Sequence, residues 1–336
     1  MTKKRFHIVF AFFVCFSLFF VSCQKADEKI TEDTGLKRQI FAMDTIMELT
    51  VYGENAEKAM TAAAKVINRL DLLFSVTNSR SDVYKINSAN GKPVKVEKET
   101  YELIKTSISY SEQTDGAFDI SVYPLVKAWG FTTDDNHVPT EGEREQAREK
   151  IDYKKIRCLA NNQIQLQKGM EIDLGALAKG YASQKVMECW QKIGVSSAII
   201  SLGGNVQTIG KKEDGSQYQV GITDPDDGTS LFGALPVENK AVVTSGIYQR
   251  NFTENGVLYH HIMDSKTGMP AANNLASVTV IADNGIEADA LATALFVMGE
   301  EKIKKYQKNH PDIQVIAIRK DGTFWQSDDV QQLVVN

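Results

Sequence analysis

Cysteine is scarce, with four in 336 residues. They are too few and too scattered for a disulfide framework or a zinc cluster, and Cys158 and Cys189 read as buried, reduced thiols. Positive charge is not in excess either. A formal net charge of −5 and an isoelectric point near 5.7 leave no basic surface for nucleic acid, which excludes that class of partner. Two common nucleotide cradles are missing as well. No G-x-G-x-x-G opens a helix and no G-x-x-x-x-G-K-[ST] occurs, so neither a dinucleotide fingerprint nor a phosphate loop is present. What remains is 43% hydrophobic and 24% charged. That is a soluble globular composition with enough apolar residues for one large domain or two interlocked ones.

The long hydrophobic run lies at the start. Lys3, Lys4 and Arg5 precede an apolar stretch from Ile8 to Val21, interrupted by Ser17, and Ser22-Cys23 follows. A positive start, an apolar stretch short for a full span and a small residue before the cut describe a secretory signal rather than an anchor helix. Val21-Ser22-Cys23 resembles a bacterial lipobox, with Phe20 where leucine is usual. The expectation is a signal peptide over 1–22, then a tether over 23–37 from a lipidated Cys23, then a folded body over 38–336. Such a protein is a lipid-anchored lipoprotein of the bacterial cell envelope, facing the periplasm or exterior.

The body is organised around Glu171-Ile-Asp-Leu-Gly-Ala-Leu-Ala-Lys-Gly-Tyr181. This reads as a short strand carrying Asp173, a turn at Gly175 and a helix. Ala178, Ala182, Val186, Cys189 and Ile193 recur at the helical period, and Gly194 closes the helix. Such a corner offers free amides and carbonyls, where anions and hard cations are held. An ordinary junction with a solvated Lys179 is the bland alternative. Upstream, Gln39 to Tyr52 reads as one strand. Asn55 to Leu73 reads as a helix with Asn55 as N-cap and Ala59, Ala63, Val66 and Leu70 on one face. Thr100 to Gln113 is a further helix, and 132–150 a surface excursion followed by a charged helix. Strands are expected at Ser197 to Leu202, Tyr218 to Thr223 and Ala241 to Ser245, with a hairpin between Ile313 and Gln326.

Two later segments carry chemistry. In Leu258 to Gly268, strand alternation lets only one of His260 and His261 face a pocket. In Asn284 to Gly299 helical periodicity begins near Ile286. Asp289 and Thr293, four apart, project from one face of its first turns. One carboxylate and one hydroxyl are meagre for calcium but suit magnesium, which keeps waters and borrows substrate phosphate oxygens. A helix-dipole aspartate with a packed threonine is the bland alternative.

Asp173-Leu-Gly-Ala-Leu-Ala-Lys-Gly-Tyr181 resembles the D-L-G-x-x-A-K-G-Y signature of the ApbE family, the FAD:protein FMN transferases. From about Ala42 to Gly299, further segments agree in order: Met43-Asp44-Thr45 with aspartate in place of glycine, Ser81-Asp82 to Asn87, Asp115-Gly-Ala-Phe-Asp119 to Trp129-Gly-Phe131, Gly203-Gly204-Asn205, Thr244-Ser245-Gly246, His261-Ile-Met-Asp-Ser-Lys-Thr-Gly268 with Ser265 in place of proline, and Ala288-Asp-Ala290 to Thr293 with Ala292 where a second aspartate is common. The resemblance implies an α+β, ApbE-like fold of two intertwined α/β halves with a nucleotide cleft between them. It further implies magnesium-dependent transfer of FMN from FAD to a threonine or serine hydroxyl of an acceptor protein, with release of AMP. Register against the motif selects His261 as the proton acceptor. Asp289, Thr293 and the Ala176 carbonyl would hold Mg²⁺. Met43, Thr77, Ala117, Phe118, Asp119, Asp173, Lys179 and Met263 would contact FAD, with Trp129 and Phe131 left to the core. By the same resemblance the acceptor is an exported or membrane-bound flavoprotein, such as a redox subunit of an ion-pumping oxidoreductase. Thr77 stands where many members carry a stacking aromatic. Its small side chain keeps open a rival reading, an FAD pyrophosphatase giving FMN and AMP. A non-catalytic flavin-binding lipoprotein is the second rival.

Overall fold

The computed structural model describes residues 35–133, 135–330 and 333–335. The expected signal peptide and Cys23 lie outside the described residues. The first strand, Leu36–Ala42, starts earlier than the expected boundary: Leu36 and Lys37, assigned above to the tether, pair with Val51 and Thr50. Gln39 to Tyr52 is not one strand either. Leu36–Ala42 and Thr45–Val51 form an antiparallel hairpin, with Met43 and Asp44 at its tip at φ of 50° and 57°. Two consecutive positive φ values make a type I′ turn, usually signalled by Asn-Gly; Met-Asp conceals it.

This hairpin begins an eight-stranded antiparallel sheet. Its spatial order is Leu36–Ala42, Thr45–Val51, Ala198–Leu202, Asn205–Ile209, Ala241–Gly246, Leu275–Ala282, Gln314–Arg319 and Phe324–Gln326. The helices are α1 (Ala56–Phe74), α2 (Asp82–Ser88), α3 (Lys98–Gln113), α4 (Tyr123–Ala128), α5 (Glu141–Arg148), α6 (Gly175–Ile193), α7 (Gly285–Met298) and α8 (Glu300–Asn309). Helices α1, α6 and α7 pack against the sheet and in sequence against one another. A three-stranded sheet of Tyr218–Thr223, Leu231–Val237 and Val334–Val335 supplies Val220, Ile222, Leu235 and Val237. These meet Val242, Ile281, Ile316 and Ile318 of the main sheet.

Two cores share the main sheet. One gathers the hairpin, α1, α3, α6 and Ala198–Leu202; the other gathers α7, Ala241–Gly246 and Leu275–Ala282. Helix α7 belongs to both. Ala290 and Ala294 lie in the first core, while Ala288, Leu291, Ala292, Leu295 and Phe296 lie in the second. A helix apolar on every side must be buried on every side. That is how the two halves interlock.

Three local expectations need correction. Asn55 sits at the start of α1 but its side chain makes no capping bond, and Ile67 rather than Val66 is fully buried. On α6 the buried face drifts to Met187 and Trp190, leaving Cys189 and Ile193 partly exposed. Glu171 to Leu174 is not a strand. Ile172 spends its backbone groups on one side chain, with its N–H donating to Asn87 Oδ1 at 2.8 Å and its carbonyl accepting from Asn87 Nδ2 at 2.9 Å. The Asp173 N–H goes to the Ile120 carbonyl at 2.9 Å. An extended segment satisfied in this way needs no ladder partner.

Candidate active site

The centre of the site is the crossing of α6 and α7. A Cβ added to Gly180 would collide with the Gly285 carbonyl and stand 2.7 Å from the Asp289 Cβ. With hydrogen in its place the two helices close up, and the Gly180 N–H donates to Asp289 Oδ2 at 2.8 Å. In a regular α-helix that N–H is aimed at the carbonyl four residues back, which is Ala176. Asp289 thus takes the amide that a regular helix would give to the Ala176 carbonyl, which anchors the carboxylate to the turn of α6 that begins at Ala176. One turn along α7, Thr293 Oγ1 lies 3.1 Å from Ser245 Oγ.

Asp289 is 4% exposed, inside an otherwise apolar stretch of helix. Burial raises its pKa, against the lowering effects of the Lys179 ammonium, the Gly180 amide and Asn205. Burial likewise raises Asp173, whose Oδ1 accepts from the Gly175 N–H at 2.9 Å, while Arg250 and Lys179 pull it down. Lys179 leans back to the Gly175 carbonyl at 3.4 Å. Its charge acts on Asp173, Asp289 and His261 alike.

His260 ends the strand Val257–His260 and is buried, with its ring edge-on to Phe296 at 5.5 Å. His261 follows and is only partly covered. Its N–H donates to the Arg250 carbonyl at 3.1 Å, and its Nδ1 lies 3.1 Å from the same oxygen. A carbonyl can only accept, so Nδ1 carries the proton and Nε2 is left as the acceptor. Although the residue keeps some open surface, protein crowds the imidazole. That burial, with the charges of Arg250, His260 and Lys179, pushes its pKa down to about 4. The ring is neutral at pH 7.

The other expected contacts divide. Met43 is held by its N–H on Asp71 Oδ1 at 2.8 Å, and the charge of its neighbour Asp44 acts on Asp173, so the hairpin tip borders the site. Ala117 is partly exposed, on a turn joined to the segment after His261 by Ser265 Oγ, which donates to the Gly116 carbonyl at 3.4 Å. Thr77 is exposed between α1 and α2, its hydroxyl 3.2 Å from Ser75 Oγ. Phe118 is 1% exposed and its ring is core, because its N–H is fixed on Thr114 Oγ1 and the ring turns into the first core. Met263 is also core, packed with Leu125, Trp129, Phe131 and Ala147. The Asp119 carboxylate is committed to the Ser121 amide and hydroxyl and to the Tyr153 amide. Trp129 and Phe131 are core as expected.

Three residues were given no role by the sequence. Arg250 supplies the carbonyl that sets the His261 tautomer and a cationic side chain near Asp173. Among many exposed charges nothing in the sequence marks it. Ser245 faces Thr293, and Asn205, 1% exposed, accepts from Ser183 Oγ at 3.3 Å. The Asn205 amide leans on the Asp289 carboxylate while stopping short of a full hydrogen bond. Both belong to segments that stood out as motifs, and that was the available signal.

Among the described residues no group of three or more His, Cys, Asp or Glu side chains could hold a metal ion. A cation here must use one carboxylate, hydroxyls and a carbonyl. Such an all-oxygen set, with places left for water and phosphate, fits magnesium and not zinc. A buried carboxylate with a raised pKa is also the group that a cation would return to its ionised form.

Known proteins resemble this chain over most of its length. The model of the ApbE family matches residues 43–317. A FAD:protein FMN transferase of Klebsiella pneumoniae is 35% identical over 265 residues, 76% of this chain and 81% of that protein. One from Treponema pallidum is 31% identical over 306 residues, 84% of each. Among solved structures, the ApbE protein of Thermotoga maritima superposes with a TM-score of 0.83 at 33% identity, over 88% of this chain and 97% of that one. The flavin transferase ApbE of Vibrio cholerae gives 0.80 at 25% identity, over 89% and 99%.

Proposed function

The chain belongs to the ApbE family, and from that premise we propose that it moves FMN from FAD onto a threonine or serine hydroxyl of an acceptor protein, releasing AMP. The observation that carries the reading is the Gly180 N–H on Asp289 Oδ2 at 2.8 Å. It joins the mid-chain corner to the C-terminal helix, with Lys179 acting on Asp173, Asp289 and His261 together.

Asp289, the Thr293 hydroxyl and the Ala176 carbonyl would hold magnesium. Bound there, the ion would gather diphosphate oxygens and offset the charge growing on the departing phosphate. The chain's own residues do the rest. Lys179, near the start of α6, holds the diphosphate by its charge, with the positive end of the helix behind it. The Met43 turn, Ala117 and Asp173 border the flavin nucleotide. His261 Nε2 takes the proton of the acceptor hydroxyl, the oxygen bonds to the phosphorus of the FMN half, and the bond from that phosphorus to the AMP half breaks. AMP is a stable anion, so no strong general acid is required. The neutral tautomer fixed by Arg250 keeps His261 ready to accept.

The protein would act as a lipid-anchored enzyme of the bacterial cell envelope, on an exported or membrane-bound flavoprotein such as a redox subunit of an ion-pumping oxidoreductase. The start of the sequence supports this: its charged, apolar and Ser22-Cys23 segments. Among the described residues no helix is long and apolar enough to cross a membrane.

Incubation with FAD, Mg²⁺ and a threonine-flavinylated exported domain in its apo form tests the activity. AMP should appear together with a fluorescent covalent band. Thr77, small and exposed, favours a second reading in which water replaces the hydroxyl. AMP with free FMN and no labelled protein would establish that reading instead, and no AMP at all would end both.

A further inference from the structure

Along the outward face of the hairpin over 36–51, cross-strand pairs change character toward the tip. Lys37 stands opposite Thr50, and Gln39 opposite Glu48, with Gln39 Nε2 donating to Glu48 Oε1 at 2.8 Å. The last pair is Phe41 opposite Ile46. Phe41 is 75% exposed, the most open large hydrophobic side chain among the described residues, and Ile46 is 58% exposed. An aromatic paired with a β-branched residue is a favourable sheet pair that normally faces a core. Here it faces solvent, one step from the turn that borders the site.

We propose that this hairpin tip is a docking platform for the acceptor protein, with Phe41 and Ile46 as its apolar anchor. The proposal rests on the transfer reading: an acceptor hydroxyl that reacts inside the cleft must bring a protein surface down over the rim. The tip is that rim on one side, because Phe41 is separated from the Met43-Asp44 turn only by Ala42, and Thr45 on the far side of the turn abuts Gly203, two residues before the Asn205 that leans on Asp289. The platform is also stiff. The Met43 N–H is fixed on Asp71 of α1 at 2.8 Å, and Gly203 lies so near Thr45 that a Cβ there would stand 2.5 Å from its hydroxyl. A rigid, exposed aromatic beside a reaction centre is the form a binding hot spot takes, since little side-chain freedom remains to be lost on docking. The partner's chemistry follows: an apolar patch adjoining its reactive threonine or serine.

The test is the full-length double variant Phe41→Ser/Ile46→Ser, assayed with the same acceptor domain at saturating FAD. KM for the acceptor should rise about tenfold, the loss expected when an aromatic anchor is truncated, with kcat and FAD affinity by flavin fluorescence unchanged. Val334→Ser, which removes an apolar side chain that is 65% exposed on another strand, should leave KM alone. An unchanged acceptor KM in the double variant overturns the proposal. So does an equal loss of FAD affinity, which would make the tip part of the nucleotide site. A third overturning result is lost sedimentation with phosphatidylethanolamine–phosphatidylglycerol vesicles at constant acceptor KM, which would make it a membrane contact. A wild-type protein that transfers no flavin is a distinct failure, of the functional reading itself, and the platform falls with it.

Discussion

At the scale of single residues, Asp289 and His261 divide the chemistry between holding charge and moving a proton. Asp289→Asn keeps the shape and most hydrogen bonding of the side chain and removes the charge. Metal-dependent AMP release should fall by more than the roughly hundredfold that outer-shell changes reach, and Mn²⁺ binding followed by electron paramagnetic resonance should weaken in parallel. His261→Gln should lower kcat by about 10²–10⁴-fold, the range for a lost general base, with FAD affinity intact. Since burial holds His261 near 4, it stays unprotonated far below the ordinary histidine value. The acid limb of kcat/KM should then lie near pH 4 rather than 6.5. His260 is also pushed down to about 4, chiefly by burial. Between pH 6.5 and 4 the unfolded chain takes up protons that the folded one refuses, so this contribution is intact above 6.5 and is lost as pH falls. The raised carboxyls of Asp173 and Asp289 act oppositely, adding stability as pH falls. The urea midpoint of His260→Gln against wild type, at pH 7 and pH 5, isolates the histidine: the wild type should lose more on acidification. Of these side chains, Asp289 and Thr293 stood out in the sequence by their helical spacing, and His261 by its register against the family motif. The Phe118 ring and the Met263 thioether side chain lie in the core, and the sequence did not show this because neighbours of a site look alike whether they face a ligand or the core beneath it.

At the scale of elements, glycine decides how close α6 and α7 come. Gly180→Ala would force its methyl against the Gly285 carbonyl and the Asp289 Cβ, so one helix must move. Overpacking of this kind costs about 1–3 kcal/mol, read as a lower urea midpoint. It should also separate Asp289 from the Gly180 amide, so metal affinity should drop with stability. Gly204→Ala, in a turn where no atom lies within 4 Å of an added Cβ, meets no such collision and carries only the strain of its φ of +87°. It should leave metal affinity unchanged. The helix after Gly175 and its end at Gly194 were legible because period and capping agree. The hairpin at Met43-Asp44 was not, because neither residue advertises a left-handed turn. Nor was the ladder-free Glu171 to Leu174, whose partner Asn87 lies 85 positions away from Ile172.

At the scale of the whole molecule, the site straddles the two cores: Ala176 and Lys179 ride on a helix of the first, while Asp289 and Thr293 ride on the helix that both share. That arrangement was out of reach of local pattern, since α7 reads simply as apolar and only the packed chain shows one side in each core. A ligand bound across the α6–α7 crossing ties the halves together. By linkage, a ligand that binds only the folded state stabilises it by about 2.7 kcal/mol at a hundred times its Kd. Mg²⁺ and FAD together should therefore raise the melting temperature of the wild type by several degrees, and EDTA should remove most of the gain. Asp289→Asn, melting near the wild type without ligands, should show no Mg²⁺-dependent increment. An Mg²⁺-dependent rise that survives in Asp289→Asn would place the cation away from the crossing, and the link between metal and interlocked halves would fail.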